Sequence, residues 1–203
     1  SRLFSIYQKL FLCYSAIMLY TRKGDSGTTK FLDTKSGARA SKSSCITEAL
    51  GFLDELNSFV GLCKVKSSGS GVSVDNVLIE NILETAQQNL FIVQAEVAGD
   101  KEKKIIQKKI TEMEQVIDSI EKEIPPITSF TIVGGSELSA FLDVARTIAR
   151  RTERVIVKTC ESGERAVCDN TRAYVNRLSS LLFALARLVN FRNGIKEKNP
   201  HYR

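Results

Sequence analysis

The chemistry open to this chain starts from four arginines, Arg146, Arg150, Arg151 and Arg154, in the stretch FLDVARTIARRTERVIV at residues 141–157. On a helix turning about 100° per residue, Leu142, Ala145, Ala149 and Ile156 share one stripe, and Phe141, Val144, Ile148 and Val155 a second. Arg146, Arg150 and Glu153 fall on a third face, with Arg154 beside it. Two apolar faces predict a helix at the centre of a bundle. Guanidinium groups on such a helix need anions, because isolated buried charge is costly. Carboxylates of the same protein could serve, giving a salt-bridged helix edge. Phosphates of a ligand would serve equally, since arginine grips them in bidentate fashion.

A second set of residues offers similar chemistry. Residues 19–44, LYTRKGDSGTTKFLDTKSGARASKSS, are rich in Gly, Ser, Thr, Lys and Arg and have no helical period. A loop of that length inside a compact domain calls for a function. Gly24 and Gly27 free backbone N–H groups to line a concavity. Thr21, Thr28 and Thr29 add hydroxyls, and Arg22, Lys23, Lys30 and Lys42 add charge. The inventory suits a polyphosphate, although GxxxxGK[ST] is absent and the loop is no Walker A motif. The same composition would also make an ordinary flexible surface loop.

The elements that must position these residues are helical. The chain has 203 residues, only three prolines and no tryptophan, and long segments lack Gly and Pro. Five periodic segments follow the loop. The first carries Ile46, Ala49, Leu53, Leu56, Val60 and Cys63, and ends in a flexible linker over 66–73. The second runs from about Val74 to Gly99 with Ile79, Leu83, Ala86, Leu90, Val93 and Val97 in register. The third holds Ile106, Ile110, Met113, Ile117, Ile120 and Ile124 and stops at Pro125-Pro126. The fourth is the arginine helix, entered through 130–135 with Ser136 as N-cap. The fifth, from about Asn170 to Phe191, aligns Tyr174, Leu178, Leu181, Leu185 and Leu188, and Asn193-Gly194 ends it. No alternating strand pattern competes. The expectation is an all-α, up-and-down five-helix bundle with antiparallel neighbours.

Charge and thiols narrow the function. A net charge of +6, from 29 Lys+Arg against 23 Asp+Glu, permits an anionic partner without requiring one. Five cysteines, Cys13, Cys45, Cys63, Cys160 and Cys168, form no CxxC pair and suggest reduced thiols without a zinc site. The single histidine, His201, stands near the C-terminus, which argues against a buried histidine base. Residues 1–17 contain Arg2 and Lys9 but no acid, and read as an extension of uncertain origin, with residues 18–203 as one domain. The apolar run from Leu10 to Tyr20 is too short to span a bilayer. These features point to the cytoplasm, or to the mitochondrial matrix if residues 1–17 are a targeting remnant.

Four motifs stand in order: YTRKGDSGTT, then Lys42 twelve residues before Asp54 of DELNS, then RTIARRTER, then NRLSSLLFALAR. Together, over about residues 19–193, they resemble the PduO-type ATP:cob(I)alamin adenosyltransferase family. The resemblance implies a ferritin-like five-helix bundle with an N-terminal nucleotide-binding loop, assembled as a homotrimer with ATP at subunit interfaces. By matched position, ATP and its Mg²⁺ would be held by Thr21, Arg22, Lys23, Gly24, Thr29, Lys30 and Lys42, together with Arg150, Arg151, Glu153, Arg154 and Asn176. Asp54 and Arg146 match an intersubunit salt bridge. Phe130 matches an aromatic residue that lines the corrinoid face, and Arg150, Asn176 and Phe130 would carry the catalysis. The sequence departs from the family pattern at Val133-Gly134-Gly135, where a proline is usual, at Ser180, where an acid is usual, and at Phe52.

The implied reaction is attack of Co(I) on C5′ of ATP, giving adenosylcobalamin and triphosphate. It needs no nucleophilic Ser, Cys or His, since the corrinoid supplies the nucleophile. The expected partners are other copies of the chain, with an adenosylcobalamin-dependent enzyme or a corrinoid reductase beyond them, and neither nucleic acid nor membrane. Two other readings use the same residues: a helical nucleotide-binding phosphotransferase or hydrolase, which lacks an evident base to activate water, and a non-enzymatic basic helical module, which lacks an aromatic-and-basic recognition motif.

Overall fold

A computed structural model describes residues 20–35 and 38–202. The extension at 1–17, Cys13, Met18, and Ser36-Gly37 of the loop lie outside the described residues. Five helices follow the loop: α1 Cys45–Ser67, α2 Ile79–Val97, α3 Gln107–Glu123, α4 Glu137–Glu161 and α5 Asp169–Arg192. The apolar stripes of α1 and α2 are buried throughout, as is that of α5. On α3, Ile106 is exposed and Ile117 half-buried, while Ile110, Met113, Ile120 and Ile124 face the core.

Two boundaries differ from the periodic pattern. Val74 does not begin a helix. Ser73–Val74 pairs with Val77–Leu78 in a short hairpin, and Asp75 and Asn76 at its tip take φ of 48° and 64°. Both central residues with positive φ make a type I′ turn, for which Asp and Asn are suited. The 66–73 linker is correspondingly tied down: α1 runs into it as far as Ser67, and Ile79 N donates to Val72 O at 3.1 Å.

The helices alternate in direction, so α4 lies antiparallel between α1 and α5. Thr159 Oγ1 donates to Cys45 O at 3.1 Å and Thr152 Oγ1 to Phe52 O at 3.2 Å along the α1 side. On the other side, Asn176 donates to Glu153, and Ser136 N donates to Asn190. The pairing of α3 with α5 is parallel, as the third and fifth helices of an up-and-down series must be. Thr171 receives Ile105 N, Arg177 meets Glu114 and Arg192 meets Glu123, so residue numbers rise together and the two helices run parallel. The 124–136 connection crosses the bundle end to let α4 pair with α1 and α5.

Fourteen of the 24 residues of α5 are buried against ten of the 25 of α4, so α5 is the central helix. Within α4 the first apolar stripe is buried completely. On the second, Ile148 is buried, Phe141 and Val155 are half-buried and Val144 is 45% exposed. Ser136 caps α4 by accepting Ser139 N at 3.2 Å. The N-terminus of α5 has no such local cap. Glu96 of α2, 4% exposed, reaches it instead, accepting Cys168 N at 2.9 Å and Thr171 Oγ1 at 2.6 Å. This carboxylate satisfies an orphan helix N–H and sits at the positive end of the α5 dipole.

The 20–44 loop is anchored to the same end of the bundle. Thr28–Thr29 pairs with Ala40–Ser41, and Leu32 N donates to Ala98 O at 2.9 Å. Asp33 takes a bidentate grip from Arg165 in the α4–α5 turn, at 2.5 and 3.0 Å. Gly99, at φ 105°, lies so close that a Cβ there would meet Asp33 at 2.5 Å. The Arg165 guanidinium holds the Asp33 carboxyl below its ordinary range, chiefly through its hydrogen bonds.

Two outcomes follow from these anchors. Replacing Glu96 by Ala strands two buried donors and lowers stability by about 1–3 kcal/mol, read from urea unfolding, with helix content kept in the folded protein. A lowered Asp33 pKa means that its contribution is present above the unfolded-state pKa of about 4 and is lost as pH falls through the lower folded-state value. Limited proteolysis of the 20–44 loop therefore rises on acidification in the native chain, and Asp33→Asn gives the high-cleavage level already at neutral pH.

Candidate functional site

The resemblance distributes its site residues over three places, and the geometry differs at each. The first is the loop. Thr21, Arg22, Lys23, Lys30 and Lys42 are exposed, and Gly24 and Thr29 are half-buried. None of the four cations forms an ion pair among the described residues. Arg22 sits at φ 58° with its guanidinium 5.4 Å from the Tyr20 ring centre. Lys42 N donates to Gly27 O at 2.9 Å, and Lys42 Nζ lies 2.9 Å from where a Gly24 Cβ would be. The lysine thus closes over the glycine turn and leaves the lobe strongly positive.

The second place is the middle of α4 and the facing turn of α5. Helical rotation sends each arginine a different way. Arg151 turns toward α1, where its guanidinium stacks 4.7 Å from the Phe52 ring centre and bonds Glu55 Oε1 at 2.6 Å. Its positive charge is already matched by protein groups. Phe52, the residue that departs from the family pattern, is the surface on which it rests. Glu153 turns toward α5 and accepts Asn176 Nδ2 at 2.7 Å. Asn176 Oδ1 in turn accepts Arg177 Nη1 at 3.0 Å, and Arg177 Nε donates to Glu114 at 2.8 Å. The chain of partners fixes the Asn176 amide. Arg154 donates to Arg150 O at 3.0 Å, and neither Arg150 nor Arg154 meets a carboxylate among the described residues.

The third place is a cavity of about 380 Å³ lined by Phe130, Arg146, Arg150, Ser179, Ser180 and Phe183, among others. Phe130 is 79% exposed at its rim. Arg146 bonds Asp143 at 3.2 Å on its own helix and lies 5.7 Å from the Phe183 ring centre. Asp54 is exposed on α1 and forms no ion pair with Arg146 within the chain. The wall carrying Phe130 is held from behind. Asn190 donates to Gly134 O at 2.7 Å, Gly134 N donates to Asp143 at 3.3 Å, and Ile132 N donates to Lys198 O at 2.7 Å. Gly135, at φ 121°, would drive a Cβ into Asn190 at 2.6 Å. Arg187, 8% exposed, bonds both Glu197 oxygens and Pro125 O, which fixes the C-terminal tail beside this wall.

The structure brings Arg150 and Phe130 into one cavity and Glu153 to Asn176. It does not bring the loop to them: among the described residues no hydrogen bond or ion pair joins residues 20–42 to Arg150, Arg151, Glu153, Arg154 or Asn176. The loop is anchored at the far end of α4, and Arg150 lies nine residues from Thr159, about 13 Å along the helix. Asp33, Arg39, Arg165, Phe183, Arg187 and Asn190 shape these places and were not singled out by the sequence. They carry no local signature, since each acts through a partner at least nine residues away.

Known proteins resemble this chain over most of its length. A family model described as cobalamin adenosyltransferase matches residues 19–189. The corrinoid adenosyltransferase of Bacillus subtilis is 38% identical over 180 residues, covering 87% of this chain and 89% of that one. The human corrinoid adenosyltransferase is 33% identical, covering 89% of this chain and 72% of that one. A variant of the PduO-type ATP:corrinoid adenosyltransferase from Lactobacillus reuteri, solved with cobalamin and ATP, superposes with a TM-score of 0.78 at 31% identity, covering 90% of this chain and 96% of that one. On a family match over residues 19–189, which takes in the loop and reaches into the fifth helix, this chain belongs to the cobalamin adenosyltransferase family.

Proposed function

We propose that this chain transfers the 5′-deoxyadenosyl group from ATP to cob(I)alamin, forming adenosylcobalamin and triphosphate. One observation carries the reading furthest: an unpaired arginine, Arg150, and an exposed aromatic, Phe130, line the same cavity. That pairing suits a reaction between a flat apolar macrocycle and a polyanion. The electron pair of Co(I) forms the Co–C bond at C5′, the C5′–O bond breaks, and triphosphate departs with that bond's electrons. The protein aligns the two reactants and stabilises charge on the leaving group.

In this reading Thr21, Arg22, Lys23, Gly24, Thr29, Lys30 and Lys42 hold the triphosphate from one side, and Arg150 and Arg154 meet it from the other. Asn176, fixed by Glu153 and Arg177, orients the nucleotide. Arg151, matched to the same motif, is half-committed to Phe52 and Glu55 and contributes through that clamp. Phe130 and Phe183 form the apolar wall that excludes water and a lower axial ligand from cobalt. Mg²⁺ fits as an ion carried largely by the triphosphate: among the described residues no group of three His, Cys, Asp or Glu could cage it, and Glu153 is the carboxylate of the matched segment nearest to serve. Its chemistry would be to neutralise phosphate charge.

The site is completed by a second copy of the chain. The two cationic halves stand apart within one chain and both are left unpaired, which supports a homotrimer with the loop of one copy facing α4 of the next. Asp54 and Arg146 then form a bridge across that contact, with Arg146 exchanging or sharing Asp143. No described helix is long and apolar enough to cross a membrane. We place the enzyme in a reducing aqueous compartment, cytoplasmic or mitochondrial, a reading supported by four free cysteines among the described residues. Burial pushes the Cys63 thiol up to about 12, so that group is an inert part of the core.

An anaerobic assay with ATP, Mg²⁺ and cob(I)alamin tests the reaction: the Co(I) absorbance decays and a light-sensitive alkylcobalamin spectrum appears. ATP binding without Co–C bond formation would remove the corrinoid half of the reading. Arg150→Ala lowers kcat/KM by about 10²–10³-fold, the loss expected of one electrostatic transition-state contact. Phe130→Ala diminishes the four-coordinate Co(II) signal in EPR, and an unchanged signal would take Phe130 out of the mechanism. For the shared site, mixing inactive Lys42→Ala and Arg150→Ala subunits restores activity, because some interfaces then combine an intact loop with an intact α4. No recovery after verified subunit exchange would place each site within one chain.

A further inference from the structure

Arg39 stands inside the proposed nucleotide loop but outside the set of residues assigned to it. Its side chain crosses the lobe and makes three short donor bonds. Nε donates to Thr28 Oγ1 at 2.7 Å, and Nη2 donates to Lys23 O at 2.7 Å and to Thr28 O at 2.8 Å. Among the described residues, the regular pairing in the lobe is two residues long on each side, too little to hold its shape. Arg39 therefore supplies the crosslink: it binds Lys23, sixteen residues earlier in the chain, to Thr28 and to the segment that enters Ala40–Ser41. All three acceptors are neutral, so the guanidinium charge also remains in the lobe and adds to that of Arg22, Lys23, Lys30 and Lys42.

We propose that Arg39 is a positioning residue for the nucleotide site, one that holds the loop in its anion-receiving shape without touching ATP itself. The proposal rests on the reading that this loop receives the triphosphate. It separates two adjacent threonines by role. Thr28 Oγ1 is engaged by Arg39 and lies 3.2 Å from Ser26 Oγ, so it is an internal acceptor. Thr29 has no such engagement among the described residues and is free to meet the ligand. A fork of fixed N–H groups is required, since the acceptors diverge from one planar group. Lysine keeps the charge but carries its three donors on one compact nitrogen, which does not span the same acceptors as a guanidinium fork. Loss of the crosslink leaves several loop residues to be ordered at the moment of binding, a cost that falls on affinity.

The test is Arg39→Lys, with Arg39→Ala and Thr28→Val beside it, each checked for native helix content and melting. ATP binding is measured by calorimetry without corrinoid, where no turnover occurs, and then KM and kcat are measured with cob(I)alamin. The expected result for Arg39→Lys is a rise of about tenfold in the ATP dissociation constant and in KM for ATP, with KM for the corrinoid and kcat at saturating ATP within about twofold of the parent. Thr28→Val gives a smaller rise, and adding it to Arg39→Lys gives less than the product of the two, because both act on one contact. Full rescue by lysine alongside weak binding in Arg39→Ala would reduce the residue to a point charge and overturn the proposal. So would a fall in kcat with unchanged ATP affinity. Failure of the parent protein itself to bind ATP would instead remove the nucleotide reading, and this proposal with it.

Discussion

The packing of α4 between α1 and α5 is the constraint on which the rest of the structure depends. A helix held on two sides has little freedom to rotate, so the direction of every α4 side chain is set by its position alone. Ala145 and Ala149 let α4 approach its neighbours closely, and Thr152 and Thr159 hide their hydroxyls by bonding both their own helix and α1. With those residues inward, Arg151 must face α1, Glu153 must face α5, and Arg150 must open into the cavity that Phe130 rims. One register therefore decides which guanidinium groups are neutralised by protein carboxylates and which remain available.

That partition explains why so basic a segment is compatible with a buried helix. Arg146 is matched by Asp143 and Arg151 by Glu55 and the Phe52 ring. Arg150 and Arg154 stay at the surface, where hydration limits the cost of an unmatched charge. The loop repeats the same arrangement by different means. Arg39 and Arg165 are spent on structure, the first across the lobe and the second on Asp33, while the remaining cations are left outward. In both places some arginines build the scaffold so that others can be presented on it.

Glu153 bonds Asn176, and Phe130 shares a cavity with Arg150, contacts made by side chains that lie far apart in the chain. Arg151 matches the same family segment as Arg150, yet about 100° of helical rotation turns it onto α1. Arg146 pairs with Asp143 on its own helix, and Asp54 is exposed on α1. The α3–α5 pairing and the distant cap supplied by Glu96 had no sequence signal, because periodicity describes one element at a time and says nothing about which element lies opposite.

The amino-acid sequence by itself determined the number of the helices that follow the loop and most of their ends. Hydrophobic period, the Ser136 cap, the Pro125-Pro126 stop and the Asn193-Gly194 end are all local, and local free energies decide them. It also determined the inventory of cations and hydroxyls, which permits an anionic ligand. Tertiary structure alone decided where those groups point. The parallel α3–α5 pair, the capture of Arg151 by Phe52 and Glu55, the Arg39 crosslink and the separation of the loop from Arg150 each depend on contacts between residues distant in the chain. The physical reason is that burial and charge pairing are settled by whichever groups packing brings within a few ångströms, and that choice belongs to the bundle as a whole.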